Sequence, residues 1–291
     1  MEKLIFCSMA DDTEAVKKVA AWVRSIRDFG GELAGAPVWV MVPDEQVGGA
    51  LALPGVQVHT FAPGDGAPQF PFTMTVAAAA KAEVLADGAT ELLAWMAPET
   101  LVLQEPRPFL LPPDKGAGAR PVDVCLIGPR WEEALDSYWE TVYSVCEATP
   151  DRFFPVTASA DQALLKPHFN AGLVVVRPER GVLRTWWQNH LRLHNHPAVT
   201  PWSAKGEYYQ VLVHQAALSG SILGRLGPGE VQVFPHQVSY PLHLHDQYPA
   251  ALRPEWMEDL ITCRYYLEYD PRCLEWLPAR EPLARWLKTY L

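Results

Sequence analysis

Two histidines in the carboxyl-terminal part of the chain have a spacing that suits transition-metal chemistry. In the segment His243-Leu244-His245-Asp246, an extended backbone would place both imidazoles on the same side. Imidazole nitrogens combined with carboxylate oxygens suit zinc, iron or manganese better than magnesium. The alternative is that this His-x-His sequence is a hydrated, proline-flanked loop, and the spacing alone leaves both interpretations open.

A lone carboxylate follows the most apolar stretch of the first half. The run from Leu92 to Met96 predicts a buried strand, and Ala97-Pro98-Glu99 ends it in a turn. In open α/β sheets, ligands bind outside the carboxyl ends of the strands. Glu99 is therefore a candidate ligand or general base, although a polar residue in a turn needs neither role.

A second stretch, Phe169-Asn170-Ala171-Gly172, leads into the apolar run that ends at Val176. Gly172 has no Cβ, so the backbone there could approach a bound sugar or cofactor closely. The alternative is a tight turn without a role in binding. Lys81 lies within an alanine-rich helical stretch. It could pair with a phosphate, or it could simply extend into water.

The elements that must position these residues alternate between strand and helix. This succession predicts an α/β fold with a mostly parallel central sheet, and we expect one domain, with a core at 1–250 and a helical extension at 251–291. The predicted strands are Leu4–Met9, Val38–Val42, Val56–Phe61, 92–96, Val122–Ile127, Phe169–Val176 and Val231–Phe234. The predicted helices are Thr13–Phe29, Thr73–Ala86, Trp131–Glu147, Leu183–Leu193 and Tyr208–Leu218, with Asp12 or Thr13 as the cap of the first.

The composition excludes several classes of protein. The 291 residues carry a net charge of −10 and no basic patch, which argues against nucleic acid as a partner. No run approaches the roughly 18 apolar residues of a membrane span. The five cysteines are odd in number and lack CxxC spacing, which favours reduced thiols. We expect a cytoplasmic protein with no membrane span.

The order of these motifs resembles that of GT-A-type nucleotide-sugar glycosyltransferases, nearest to glycosyltransferase family eight, over roughly residues 3–246. In such enzymes a helix with a basic residue leads into a strand that ends in an Asp-x-Asp motif, and here Lys81 and Ala97-Pro98-Glu99 stand in that order. The family's Phe-Asn-x-Gly turn matches residues 169–172. Its later Asp-Gln pair corresponds to His214-Gln215, and its metal-binding histidine corresponds to one in the 236–245 region.

The departures from the family pattern concern the metal. The family's paired carboxylates hold a divalent ion that stabilises the leaving diphosphate, but Ala97 cannot ligate and His214 replaces an Asp. The resemblance implies that Glu99, His214, His243 and His245 would hold any metal, manganese by analogy, or zinc or iron if the histidines form a rebuilt site. The donor pocket would include Lys81, Ala97, Asn170, Ala171, Gly172 and Gln215.

The resemblance implies transfer of a sugar from a nucleoside-diphosphate donor to an acceptor, with Glu99 and Asn170 as the catalytic residues. In one version of this interpretation the transferase works without a metal and uses Lys or Arg on the diphosphate, as some GT-A enzymes do. Two alternatives to sugar transfer also stay open at this stage. Loss of the carboxylate at Ala97 favours a catalytically silent GT-A fold that binds a ligand or partner. The histidines favour an enzyme with a rebuilt metal site and different chemistry. Neither the sugar, the acceptor nor the oligomeric state follows from the sequence.

Overall fold

A seven-stranded sheet forms the centre of the protein. The computed structural model describes residues 1–51, 53–64, 71–203, 205, 208–209, 212–267 and 270–291. The spatial order of the strands is β10-β6-β9-β4-β1-β2-β3. They span Ile5–Met9 (β1), Val38–Val42 (β2), Val56–Thr60 (β3), Leu93–Met96 (β4), Ala117–Pro121 (β6), Phe169–Val176 (β9) and Val231–Val233 (β10).

The sheet is mostly parallel, as the sequence predicts, with one reversed strand. Strand β9 pairs antiparallel with β4 and with β6, whereas the other neighbours pair in parallel. Consequently the first residues of β9 lie at the same edge as the carboxyl ends of β4 and β1. The reversal brings the Asn170-Ala171-Gly172 segment to the edge where ligands bind in such sheets.

Helices cover both faces of the sheet, which explains why its central strands are apolar throughout. Alternate residues of β1 serve the two faces: Ile5, Cys7 and Met9 pack in one core cluster and Phe6 in the other. None of the described helices combines the length and apolarity that crossing a bilayer requires. The helices are Thr13–Phe29 (α1), Glu45–Gly49 (α2), Thr73–Ala86 (α3), Ser137–Val145 (α4), Val182–His194 (α5), Thr200–Ser203 (α6), Val213–Arg225 (α7) and Leu283–Tyr290 (α8).

The carboxyl-terminal segment belongs to a second, smaller sheet. Strand β12 (Thr262–Arg264) pairs in parallel with β11 (Tyr240–Pro241) and antiparallel with β5 (Thr100–Val102). Thus residues 251–291 contribute a strand as well as helix α8, and not only the helices that the sequence suggested. Because β5 directly follows the turn after β4, this small sheet places β12 beside the edge of the main sheet. A two-stranded ribbon, β7 (Val156–Thr157) with β8 (Leu164–Leu165), completes the strands of the described residues.

The strand predicted at Val122–Ile127 was wrong, because the strand β6 ends at Pro121. The sequence of β6 itself, Ala-Gly-Ala-Arg-Pro, has poor β-propensity. Tertiary packing between β9 and β10 outweighs that preference. Gly118 is required there, since a Cβ would lie 2.3 Å from the Phe234 ring. The segment from Val122 to Leu126 is instead an irregular loop at the edge of the sheet.

Two predicted helices differ in their bounds. Helix α4 begins at Ser137 rather than at Trp131, because the side chain of Asp136 caps it by accepting from the Trp139 N–H. The helix predicted at 208–218 is found as α7, Val213–Arg225, and positions 210 and 211 lie outside the described residues. Asp12 does cap α1, accepting from the Ala15 N–H at 2.7 Å.

Candidate functional site

A cavity of about 1140 Å³ opens at the edge where β1 and β4 end and β9 begins. Its wall is built from the loop after β1, the turn after β4, the loop after β6 and the first residues of β9. Helices α1 and α7 and strand β12 close its sides. Such a cavity at the carboxyl ends of parallel strands is the expected place for a ligand in an open α/β sheet.

Glu99 lies in the cavity wall, but its carboxylate is already paired. Lys18 of α1 approaches its Oε1 to 2.9 Å, and both side chains are more than four-fifths buried. Ala97 is fixed by a hydrogen bond from its N–H to the Gly172 carbonyl at 2.8 Å. The turn after β4 therefore presents to the cavity a methyl group and a neutralised carboxylate.

Asn170 and Gly172 lie where the sequence predicted, at the start of β9 and in the cavity wall with Ala171. The Oδ1 atom of Asn170 accepts from the Gly172 N–H at 2.8 Å and from Nη1 of Arg264 at 3.2 Å. These two bonds hold the amide oxygen of Asn170, so its Nδ2 is the group oriented for other partners.

Gly172 is required by its neighbours rather than by its backbone conformation. An added Cβ would lie 3.0 Å from Asn170 Oδ1 and 3.3 Å from Arg264 Cδ. We expect Gly172→Ala to lower the free energy of unfolding by about 1 to 3 kcal/mol, because both side chains must shift. Gly35→Ala, where a Cβ meets nothing within 4 Å, is the control for urea denaturation and should not destabilise. Equal stability of the two variants would contradict the close packing described here.

His214 and Gln215 reach the cavity from the first turn of α7. The His214 ring is 5% exposed and stacks on Phe72, with ring centroids 4.1 Å apart. His168 lies beside it, 1% exposed, and neither of its ring nitrogens has a hydrogen-bond partner among the described residues. Burial, and then the charge of His214, lower the pKa of His168 to about 3, so the ring is neutral.

The two histidines of the His-x-His segment do not face the same side. Residues Leu242–Gln247 form a 3₁₀ helix, not the extended segment that we expected. With three residues per turn, neighbours two apart point in different directions. His243 lines the cavity next to Tyr266, whereas His245 Nδ1 is within 3.0 Å of the Tyr240 hydroxyl and lies outside the cavity wall.

The residues present do not fit a divalent metal. Among the described residues, which include Glu99, His214, His243 and His245, no three His, Cys, Asp or Glu side chains converge as metal ligands would. Glu99 is occupied by Lys18. His243 and Arg264 both line the cavity, and burial, followed by the positive charge of Arg264, lowers the pKa of His243 to about 4.

Lys81 does not line the cavity. It is exposed on α3, where its charge adds to the effect of burial in lowering the pKa of His59 on strand β3. A helix lysine that extends into water is its ordinary role. Among the residues that the structure describes, the lysine and arginine side chains that reach the cavity are those of Lys18 and Arg264.

Sequence reasoning missed a buried charged cluster behind the cavity wall. We define the Asp123 cluster as Arg120, Asp123, Tyr248 and Arg264. Asp123 forms ion pairs with Arg120 at 2.5 Å and with Arg264 at 2.6 Å, and the Tyr248 hydroxyl donates to it at 2.5 Å. Burial raises the pKa of Asp123, but the two guanidinium charges outweigh it and hold the pKa below its usual range.

Acidic residues at the end of β1 were also missed as site residues. Asp11, Asp12 and Glu14 line the cavity at the amino end of α1. Asp12 is engaged as the helix cap, and Glu14 pairs with the exposed Lys17 at 2.7 Å. Asp11 is exposed in the cavity mouth. The available signal was its place, directly after a buried strand at a sheet edge.

Comparison with known proteins gives a likeness of structure only. No protein-family model and no curated protein matches the chain. A crystal structure of the galactosyltransferase LgtC in complex with donor and acceptor sugar analogues matches with a TM-score of 0.52 and 14% identity, over 98% of this chain and 95% of that chain. An active-site Gln-to-Glu mutant of LgtC matches with a TM-score of 0.51 and 15% identity, over 90% and 86%.

These matches extend over nearly the whole length of both chains and agree with the mostly parallel sheet flanked by helices. The identities are too low to transfer an activity, and what they establish is the architecture. The fold expected from the sequence motifs is thereby confirmed. This chain has the GT-A fold of the glycosyltransferases.

Proposed function

We propose that this protein transfers a sugar from a nucleoside-diphosphate donor to an acceptor. The observation that carries the proposal is the cavity of about 1140 Å³ at the ligand-binding edge of a GT-A fold. Its volume is somewhat above the usual range of about 300 to 1,000 Å³ for small-molecule sites, which suits a two-part ligand such as a nucleotide sugar with its acceptor. The LgtC structure with donor and acceptor sugar analogues supports this choice by analogy of fold.

The nucleoside would occupy the acidic end of the cavity. Asp11 lies there with its carboxylate exposed, at the end of β1. A carboxylate at a strand end can accept hydrogen bonds from ribose hydroxyls, as the acidic residue of dinucleotide-binding α/β folds does. Asp11 is thus our candidate for ribose recognition.

The sugar would lie between the start of β9 and the first turn of α7. Asn170 offers its Nδ2 and Gln215 its amide, and Gly172 lies beside them in the cavity wall. In the reaction, the bond from the anomeric carbon to the β-phosphate oxygen breaks, and the nucleoside diphosphate leaves with the electron pair. The acceptor oxygen bonds to the anomeric carbon, and its proton passes to the departing phosphate. Charge stabilisation of that diphosphate contributes most of the rate.

The roles assigned from sequence change in two respects. Glu99 carries a charge neutralised by Lys18, so we assign it the positioning of Lys18 rather than proton transfer. Lys81 has no part in the proposal, because it lies outside the cavity. Asn170 and Gln215 remain our candidates for contact with the reacting sugar.

Donor consumption measured by liquid chromatography tests this assignment. Purified protein should slowly hydrolyse one nucleotide sugar with water as acceptor, and Gln215→Ala should lower that rate about 100-fold, the usual effect of losing one polar contact to a transition state. The matched control is Gln232→Ala on β10, a glutamine outside the cavity wall. Equal rates for Gln215→Ala and wild type would overturn the role of Gln215. No consumption of any donor would overturn the proposal that the protein is an enzyme.

A ligand-binding protein without turnover is the second candidate. It is favoured by Ala97 and by the neutral His168 beside His214, because these groups supply neither a carboxylate nor a charged acid to the cavity. The same assay separates the two, since a binding protein would retain the nucleotide sugar without consuming it.

A further inference from the structure

The Asp123 cluster carries an unbalanced positive charge. Arg120 and Arg264 are 0% and 4% exposed, and the carboxylate they share is Asp123. No other carboxylate of the described residues lies within hydrogen-bond distance of either guanidinium. Two cations and one anion leave a net charge of +1 in a buried place, which is unfavourable unless an anion compensates it.

Arg264 is the member of the cluster that faces the cavity. It lines the cavity wall, whereas Arg120 does not. Its Nε donates to the Ser239 carbonyl at 3.0 Å and its Nη2 to Asp123 at 2.6 Å, which fixes the plane of the guanidinium. Nη1 makes only longer contacts, at 3.2 Å, to Asn170 Oδ1 and to the Tyr266 hydroxyl. A stronger acceptor could replace these weaker partners.

Arg264 lies beside the Ala97-Pro98-Glu99 turn, which occupies the place of the metal-binding motif in the family that the sequence resembles. In the small sheet Arg264 pairs with Thr100, directly after the Ala97-Pro98-Glu99 turn, and the Tyr265 N–H donates to the Glu99 carbonyl at 3.0 Å. On its other side Arg264 packs against Gly172. A guanidinium fixed here lies between the turn after β4 and the start of β9, where the donor's diphosphate would lie.

We infer that Arg264 binds the diphosphate of the donor in place of a divalent cation. This inference rests on the proposed function. A guanidinium suits the task because its charged N–H groups form strong hydrogen bonds with phosphate oxygens, and Nη1 of Arg264 is the group placed to donate them. The same fixed charge repels a divalent cation, in agreement with the failure of the described residues to form a metal site. The diphosphate supplies the negative charge that the Asp123 cluster lacks.

Isothermal titration with nucleoside diphosphates tests the inference on the wild-type protein. UDP, GDP, ADP and CDP are titrated in EDTA and again in manganese chloride. We expect at least one of them to bind equally well in both buffers, and the corresponding nucleoside to bind at least tenfold more weakly. Binding only in manganese would overturn the inference and leave the proposed function intact. Binding of none in either buffer would overturn both.

Variants at Arg264 supply the second measurement. Arg264→Gln should weaken the binding of the nucleoside diphosphate at least tenfold in EDTA. Arg264→Lys keeps the positive charge but not the guanidinium group, and should lose less affinity. Arg264→Gln leaves Arg120 and Asp123 as a balanced pair, so the variant is expected to fold, which circular dichroism checks. The matched control is Arg285→Gln, an exposed arginine on α8, which should bind as wild type does. Unchanged affinity of folded Arg264→Gln would overturn the inference.

Discussion

Asp123→Asn will lower the free energy of unfolding by about 3 to 5 kcal/mol, the usual result of removing one partner from a buried ion pair. Asp123 is 6% exposed and is the one carboxylate of the described residues that contacts Arg120 and Arg264. Its replacement leaves two buried guanidinium groups without a compensating charge. Urea denaturation followed by circular dichroism measures the loss.

Two further variants show whether the charge count of the Asp123 cluster is right. Asp114→Asn removes an exposed carboxylate 3.3 Å from Lys115, and should cost no more than about 1 kcal/mol. Arg264→Gln should cost less than Asp123→Asn, because a balanced Arg120–Asp123 pair remains. Equal losses for Asp123→Asn and Arg264→Gln would mean that a further anion balances Arg264, contrary to the net charge of +1.

Acid will destabilise the protein through two buried histidines before most carboxylates titrate. His168 and His190 are 1% and 0% exposed. Burial is the main cause that lowers the pKa of each to about 3, with the charge of His214 adding to both and that of His194 adding to His190. In the unfolded chain each titrates near its ordinary pKa of about 6.5. Below that pH the unfolded state binds protons that the folded state refuses, so stability falls as the pH falls from about 6.5 towards 3.

The expected loss of stability in acid is large enough for mutations to reveal the contribution of each histidine. At a pH two units below 6.5 each histidine costs roughly 2 to 3 kcal/mol, since one pKa unit corresponds to about 1.4 kcal/mol. His168→Gln and His190→Gln should each lose less stability than wild type between neutral pH and pH of about 4.5. His196→Gln, at a partly exposed residue, is the control and should follow wild type. Identical pH dependence in all four proteins would show that the buried histidines do not carry the effect.

The sequence predicts those elements whose own residues decide their structure. Strands β1 and β9 are continuous apolar runs, and α1 has a capping Asp12 followed by apolar residues at helical spacing. Strand β6 could not be predicted, because Ala-Gly-Ala-Arg-Pro becomes a strand only when it is paired between β9 and β10. Gly118 is needed there to leave space for the Phe234 ring. The 3₁₀ helix at Leu242–Gln247 likewise could not be predicted, because the pattern of apolar residues in its sequence does not distinguish it from an extended loop.

For the candidate site, the motif residues near the sheet edge were predicted and their partners were not. Glu99, Asn170, Gly172, His214 and Gln215 all line one cavity, since β4 ends at this edge and both β9 and α7 begin there. Lys18 and Arg264 come from α1 and β12, far from those motifs in sequence, and nothing local relates them to Glu99 or Asp123. An arginine within the apolar and aromatic run Thr262–Tyr266 was the signal available for a buried cation.

The central claim, that the cavity receives a nucleotide sugar, is tested most directly by a thermal-shift screen of the wild-type protein. The ligands are UDP-, GDP-, ADP-, CDP- and TDP-sugars, each in EDTA and again in manganese chloride, with the free sugars as controls. A ligand that binds only the folded state adds about 2.7 kcal/mol at 100 times its dissociation constant, which raises Tm by roughly 4 to 5 °C in a chain of this size. The account predicts such a rise for at least one nucleotide sugar and none for the free sugars. No rise with any nucleotide sugar would contradict it.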